Sequence, residues 1–139
     1  TPKTPGLAGL GAGVQWVQEH TVEAIRAQEM ALAARLVDGL RDIPGVVVYG
    51  GAADTDATGC IATVSFNIEG IAPSEVGLRL DEKYGIMCRV GLHCSPAAHK
   101  TIGTFPQGTV RFSLGALNTT EEIDRALSAI EELSWEIGR

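Results

Sequence analysis

The stretch Gly108-Thr109-Val110-Arg111-Phe112-Ser113-Leu114-Gly115 alternates polar and apolar side chains between two glycines. Successive side chains of an extended backbone point to opposite faces. Val110, Phe112 and Leu114 therefore share one face, and Thr109, Arg111 and Ser113 share the other. A strand split in this way belongs to a sheet packed on one side only. Helical signals follow at once. Asn118 suits an N-cap, Glu121 stands three positions on as its capping-box partner, and Ile123, Ala126, Leu127, Ile130, Leu133 and Ile137 recur at helical spacing.

Upstream, residues 60–67 repeat the alternation. Cys60, Ala62, Val64 and Phe66 fall on one face, and Ile61, Thr63, Ser65 and Asn67 on the other. Residues 21–42 form the strongest helix, with an apolar stripe of Val22, Ile25, Leu32, Leu36 and Leu40. Pro44-Gly45 ends it, and Val46-Val47-Val48-Tyr49 reads as a short strand before a polar loop over residues 50–59. Residues 73–84 form a helix, with Pro73 in its first turn and Gly85 at the C′ position. Residues 86–89 are a further short strand, followed by a polar loop to Gly108. At the start, residues 1–6 are extended; Leu7, Leu10, Val14 and Val17 then take helical spacing. Gly9, Gly11 and Gly13 sit on that helix and weaken it by about 1 kcal/mol each relative to alanine. A closely packed second backbone would account for them.

Strand pairs separated by helices predict an α+β fold, a mostly antiparallel sheet with helices packed on one face. The other face, with Thr109, Arg111 and Ser113, is left to line a cleft.

The bulk properties narrow the function. With 139 residues, 45% hydrophobic and 20% charged, the chain has the composition of one globular domain. A net charge of -6 argues against a nucleic-acid or anionic-membrane surface. No apolar run is long enough for a spanning helix, and no secretory pattern opens the chain. Cys60, Cys88 and Cys94 are an odd number and form no C-x-x-C pair, so a reduced, cytoplasmic protein is the simplest reading.

Chemistry concentrates in Arg89-Val90-Gly91-Leu92-His93-Cys94-Ser95-Pro96-Ala97-Ala98-His99. Cys94 lies among Arg89, His93, His99 and Lys100, and cationic neighbours favour the nucleophilic thiolate. The alternative is an inert loop cysteine. Cys88, His93, Cys94 and His99 are also metal-ligand types, but their spacings of five, one and five match no regular zinc pattern, and no metal is expected. Arg111 is either a solvated edge residue or a bidentate clamp for a carboxylate. Lys3, Lys83 and Lys100 read as surface lysines, since none has an apolar setting that would depress its pKa.

Three segments resemble one known family. Thr1-Pro2-Lys3-Thr4-Pro5-Gly6-Leu7-Ala8-Gly9-Leu10 is similar to the G-T-P-N-T-x-G-I-x-G-L segment of the class V aminotransferases, with Lys3 where asparagine is usual. The segment from Arg89 through Cys94 to Pro96 resembles the R-x-G-x-H-C-A segment of cysteine desulfurases of the SufS-like group. The opening stretch, continued by Asn118-Thr119 and Glu121-Glu122-Ile123-Asp124, is similar to the family's G-x-x-R-x-S-L-x-x-Y/F-N-T-x-E-E-I-D block. The three come in the family's order and at about its spacing, so the resemblance covers the whole chain. Its desulfurase part rests mainly on Cys94.

The resemblance implies roles. Cys94 matches the persulfide-forming cysteine, which takes sulfur from L-cysteine bound to pyridoxal 5′-phosphate and leaves L-alanine. Arg111 matches the arginine that holds the substrate α-carboxylate. Thr1 matches the threonine that reaches the cofactor phosphate of the neighbouring subunit in a homodimer. The family's Schiff-base lysine, stacking histidine and aspartate belong to a large domain upstream of Thr1. Residues 1–20 are then a linking segment and helix, and residues 21–139 the C-terminal small domain of a fold-type I enzyme. By itself this chain is expected to be inactive and to hold no covalent cofactor. The group also implies a sulfur-acceptor protein and a connection to iron–sulfur cluster assembly. Other class V activities (selenocysteine lyase or aminotransferase-like) and a free-standing, non-catalytic binding module are the alternatives.

Overall fold

The computed structural model describes residues 3–50 and 60–137. Thr1, residues 51–59 of the polar loop and the side chain of Ile137 lie outside the described residues. The elements run α1 (Thr4–His20), α2 (Val22–Asp42), β1 (Val46–Tyr49), β2 (Thr63–Ile68), α3 (Pro73–Tyr84), β3 (Arg89–Gly91), α4 (Pro96–Thr101), β4 (Thr109–Ser113) and α5 (Thr120–Ile137). The four strands form one sheet in the order β1-β2-β4-β3, every neighbouring pair antiparallel. The α+β expectation is met.

The alternation of β2 and β4 is what builds the core. Val64, Phe66 and Ile68 from β2 and Val110 and Phe112 from β4 are buried on one face. Helices α2, α3 and α5 cover them with Leu32, Leu36, Leu40, Val76, Leu80, Ile123, Ile130 and Leu133. The Phe66 and Phe112 rings meet at 5.3 Å between centroids, tilted by 57°, a favourable aromatic geometry. Arg35 of α2 forks onto Asp124 of α5, at 2.7 and 2.9 Å, and registers the two helices against each other.

Five local expectations shift. Thr4, Pro5 and Gly6, expected to be extended, already belong to α1, since a proline fits the first turn of a helix, and α1 runs on to His20. β2 begins at Thr63, because the Ile61 side chain is exposed and the Thr63 amide donates to the Ile61 carbonyl. β3 is Arg89–Gly91 rather than 86–89. Gly85 closes α3 in the left-handed region at φ 64, and Ile86 donates back to Leu80, so the chain pairs with β4 only three residues later. The loop expected up to Gly108 contains α4, opened by Pro96 in its first turn. The final capping box is one residue later than expected. Thr119 Oγ1 accepts from the Glu122 amide and Glu122 Oε2 accepts from the Thr119 amide. Asn118 instead closes the preceding turn by accepting from the Gly115 amide at 2.8 Å.

Helix α1 buries no residue. Leu7, Leu10, Val14 and Val17 are all exposed, and nothing approaches the Cβ positions of Gly9, Gly11 and Gly13 within 4 Å. The close backbone anticipated for these glycines is not among the described residues.

Candidate functional site

Antiparallel register sets the polar face. Tyr49 pairs with Ser65, Ser65 with Arg111, and Arg111 with Arg89. Directly paired residues project to the same side of a sheet, so Tyr49, Ser65, Arg111 and Arg89 form one row across all four strands. Arg111 is half-buried, and its Nε is buried with no hydrogen-bond partner. An unpaired buried guanidinium N–H is costly, and it suits a carboxylate.

The next row holds Thr109, which is fully buried although it lies on the polar face. The segment after β3 covers it. Ser95 donates to the Leu92 carbonyl at 2.8 Å, and the two residues between them, His93 and Cys94, have φ of 49° and 60°. Positive φ at both central residues is the signature of a type I′ turn. Cys94 is the second central residue and is exposed. His93 Nε2 lies 3.2 Å from the Thr109 carbonyl oxygen and 3.3 Å from Thr109 Oγ1. A carbonyl only accepts, so Nε2 carries the proton. His93 Nδ1 is then an acceptor, buried and without a partner.

A second histidine supports the first. The rings of His93 and His99 are 5.7 Å apart. His99 is buried, and its Nδ1 meets Thr104 Oγ1 at 2.7 Å. The His99 carbonyl accepts from both Thr104 and Phe105, and the Thr104 carbonyl accepts from Gly108. The segment from the cysteine turn to β4 is thus one hydrogen-bonded unit. Among the described residues no group of three or more metal-ligating side chains converges.

A hollow of about 500 Å³ is lined by Tyr49, Asn67, Thr104 and Gly108, and not by Thr109, Arg111 or Ser113. Ser113 lines a smaller hollow of about 280 Å³ with Ile86, Phe112 and Leu114.

Electrostatics separate the titratable groups. Burial, with the Arg111 charge next, pushes the His93 imidazole below its ordinary range, against the pull of the Thr109 carbonyl. Burial also pushes the Cys88 thiol up, aided by Asp81. Two outcomes follow from these shifts. Limiting iodoacetamide should label Cys94 before Cys88, since the thiolate is the reacting species and Cys88 is half-buried; peptide mass spectrometry reads the order. Stability should fall on acidification through the histidine range. Between the ordinary imidazole pKa and the lower folded one, the unfolded chain binds a proton that the folded chain refuses, so acid favours unfolding. The urea midpoint should drop from about pH 7 to about pH 5, and His93→Gln should flatten that slope.

Pyridoxal 5′-phosphate needs a lysine able to form a Schiff base, and the described lysines do not fit. Lys83 Nζ donates to Glu132 and Glu136 at 2.7 Å each, which raises its pKa. Lys100 sits over the Phe105 ring on exposed α4, and Lys3 is exposed beside α1. No apolar pocket encloses any of the three. Thr1, the residue expected at the cofactor phosphate, lies outside the described residues.

The structure thus ties the turn that carries Cys94 to Thr109 through the His93 ring, and aligns Arg111 with Arg89. The Arg89–Arg111 row and the His93 anchor were not visible in the sequence, because both depend on register and turn geometry. The only prior signal was the arginine and histidine content around Cys94.

Comparison with known proteins gives consistent matches. The family model described as aminotransferase class-V matches residues 1–126. A probable cysteine desulfurase of Pyrococcus abyssi is 33% identical over 133 residues, covering 96% of this chain and 31% of that protein. A cysteine desulfurase of Klebsiella pneumoniae is 33% identical over 138 residues, covering 99% and 32%. The solved apo structure of a cysteine desulfurase from Thermococcus onnurineus superposes with a TM-score of 0.86 at 34% identity, over 98% of this chain and 32% of that one. The chain therefore spans about a third of the length of the relatives it matches.

Proposed function

The chain belongs to the aminotransferase class-V family, and from that premise we propose that it is the part of a cysteine desulfurase that carries the sulfur-accepting thiol, Cys94. One observation carries this reading. The turn after β3 presents an exposed cysteine from a segment anchored on Thr109, on the same sheet face as the Arg89–Arg111 row. In the proposed reading the turn supplies the nucleophile and the arginine row the carboxylate clamp. The names of the relatives support the same chemistry.

In this reading Arg111 takes the α-carboxylate of L-cysteine through its fork of N–H donors, and Arg89 adds a second positive charge beside it. Cys94, as thiolate, attacks the substrate sulfur. An S–S bond forms and the substrate's carbon–sulfur bond breaks. The electron pair of the broken bond stays with the carbon skeleton, which takes up a proton and leaves as L-alanine. The balance is L-cysteine plus Cys94 thiol giving L-alanine plus Cys94 persulfide, with no outside oxidant. Pyridoxal 5′-phosphate, if bound by the whole protein, would supply the electron sink that makes such bonds labile; none of Lys3, Lys83 and Lys100 fits the role of its Schiff-base lysine. Residues 1–20 serve as the link and residues 21–139 as the small domain. The exposed thiol suits delivery of sulfur to an acceptor protein.

The test uses the full-length protein with pyridoxal phosphate and L-cysteine. Alanine release should accompany a Cys94 peptide heavier by one sulfur atom, and Cys94→Ser should lose both. The 139-residue chain, treated with the cofactor and borohydride, should form no stable lysine adduct. Alanine release that persists unchanged in Cys94→Ser sinks the proposal.

A further inference from the structure

We propose that His93 is a positioning residue for Cys94, its ring tethering the strained turn that presents the thiol. The inference rests on the reading of Cys94 as the sulfur acceptor, but its structural half stands without that reading.

The backbone makes the case first. His93 and Cys94 both occupy the left-handed region, at φ 49° and 60°. For L-residues this region costs about 1–2 kcal/mol per residue. Type I′ turns usually place asparagine, aspartate or glycine there. Histidine shares part of that tolerance but cysteine does not, so contacts outside the turn help to hold it. Among the described residues, one backbone bond closes the turn, from Ser95 to Leu92, and the Ser95 carbonyl accepts from His99.

The His93 side chain adds a restraint from outside the turn. Its Nε2–H reaches across to the Thr109 carbonyl of β4. Thr109 is fully buried and paired in the sheet, so the anchor point cannot drift. The far side of the ring meets His99, which is itself fixed to Thr104. The ring is therefore held at its edge by a hydrogen bond and flanked by a second ring. Because the turn is one peptide wide at this point, fixing the His93 side chain fixes the direction in which Cys94 leaves the backbone. The neutral state matters as well. Burial first, then Arg111, His99 and Arg89, oppose a charge on His93 and favour the neutral ring, and the carbonyl decides that its proton sits on Nε2. Nδ1 stays an acceptor, buried and unpartnered.

A residue that only stabilised the fold would, when removed, lower the folded fraction and leave the properties of the remaining folded enzyme alone. A positioning residue affects the chemical step, because attack on sulfur requires aligned atoms. Misplacement by about 1 Å can cost about 10²-fold in rate.

The experiment has two parts. In the full-length enzyme, His93→Ala should lower kcat for L-cysteine by about 10²-fold with KM changed by less than about 3-fold. His93→Gln, which keeps a nitrogen donor at the end of a side chain of similar reach, should recover most of that loss. Equal loss in both variants, or kcat and KM falling together, overturns the proposal. In the 139-residue chain, ring nitrogen-15 shifts of His93 should report the neutral Nε2–H tautomer. The Ser95 amide should exchange with solvent faster in His93→Ala than in wild type or His93→Gln. An Nδ1–H tautomer, or unchanged Ser95 exchange, overturns the tether. If the wild-type enzyme shows no desulfuration, the functional reading of Cys94 fails, and the tether is judged on the tautomer and exchange results.

Discussion

Cys94→Ser in the full-length protein is expected to reduce L-cysteine desulfuration by about 10³-fold or more, with KM for L-cysteine nearly unchanged. The size of the effect comes from chemistry rather than structure. Serine matches cysteine in shape, and an L-residue at φ 60° is strained equally with either side chain. The fold and the turn are therefore retained. What is lost is the thiolate. A free thiol ionises near pH 8.5, whereas a hydroxyl stays protonated, and the hydroxyl has no comparable affinity for a sulfur atom. The carboxylate clamp proposed at Arg111 lies on β4, away from the turn, and is untouched by the substitution, which is why substrate binding should survive. Steady-state alanine production checks the rate. Mass spectrometry of the Cys94 peptide checks that no persulfide forms. A fall of less than about 10-fold would mean that another group accepts the sulfur.

The elements that proved legible were those whose pattern reports burial directly. The period-two alternation of Val110 and Phe112 against Thr109 and Arg111 places β4, and the core confirms which face is inward. β3 was less legible because its position is set by a partner strand. Residues 86–89 look apolar, yet Met87 is 87% exposed and the ladder begins only at Arg89. Helix α4 has six residues, too few for a periodic signal, so Pro96 and the alanines after it passed as loop. The site divides in the same way. Cys94 and Arg111 stand out by residue type and by resemblance. The pairing of Arg111 with Arg89 needs the register, and the tether of His93 to Thr109 needs a positive-φ turn that neither histidine nor cysteine announces. Chemistry-bearing residues can be listed from a sequence, but their mutual placement is a property of strand pairing.

Gly108→Ala is expected to destabilise the fold by about 3–5 kcal/mol, or to push β3 off the sheet edge. Gly108 is buried at φ 81°, immediately before β4. A Cβ built there would lie 2.1 Å from both the carbonyl carbon and the oxygen of Gly91, and 2.6 Å from its Cα. These are backbone atoms, so no side chain can rotate away to make room. Nor is either partner free to shift. Gly91 pairs with Thr109, the Gly108 amide donates to Thr104, and the Gly108 carbonyl accepts from Asn67. Gly91→Ala provides the control. Gly91 also has positive φ, at 100°, but its Cβ would meet nothing within 4 Å. That substitution should cost only the conformational part, about 1–2 kcal/mol. The difference between the two variants in urea denaturation therefore measures the steric contact between the two strands. It also bears on the site, because β3 leads directly into the Cys94 turn and β4 carries Arg111 and the Thr109 anchor. If β3 yields instead of the whole fold, desulfuration should fall in a folded protein whose Cys94 is chemically intact. Equal costs for the two glycine variants, with full activity in both, would show that the close approach of β3 and β4 does not hold the cysteine turn in place.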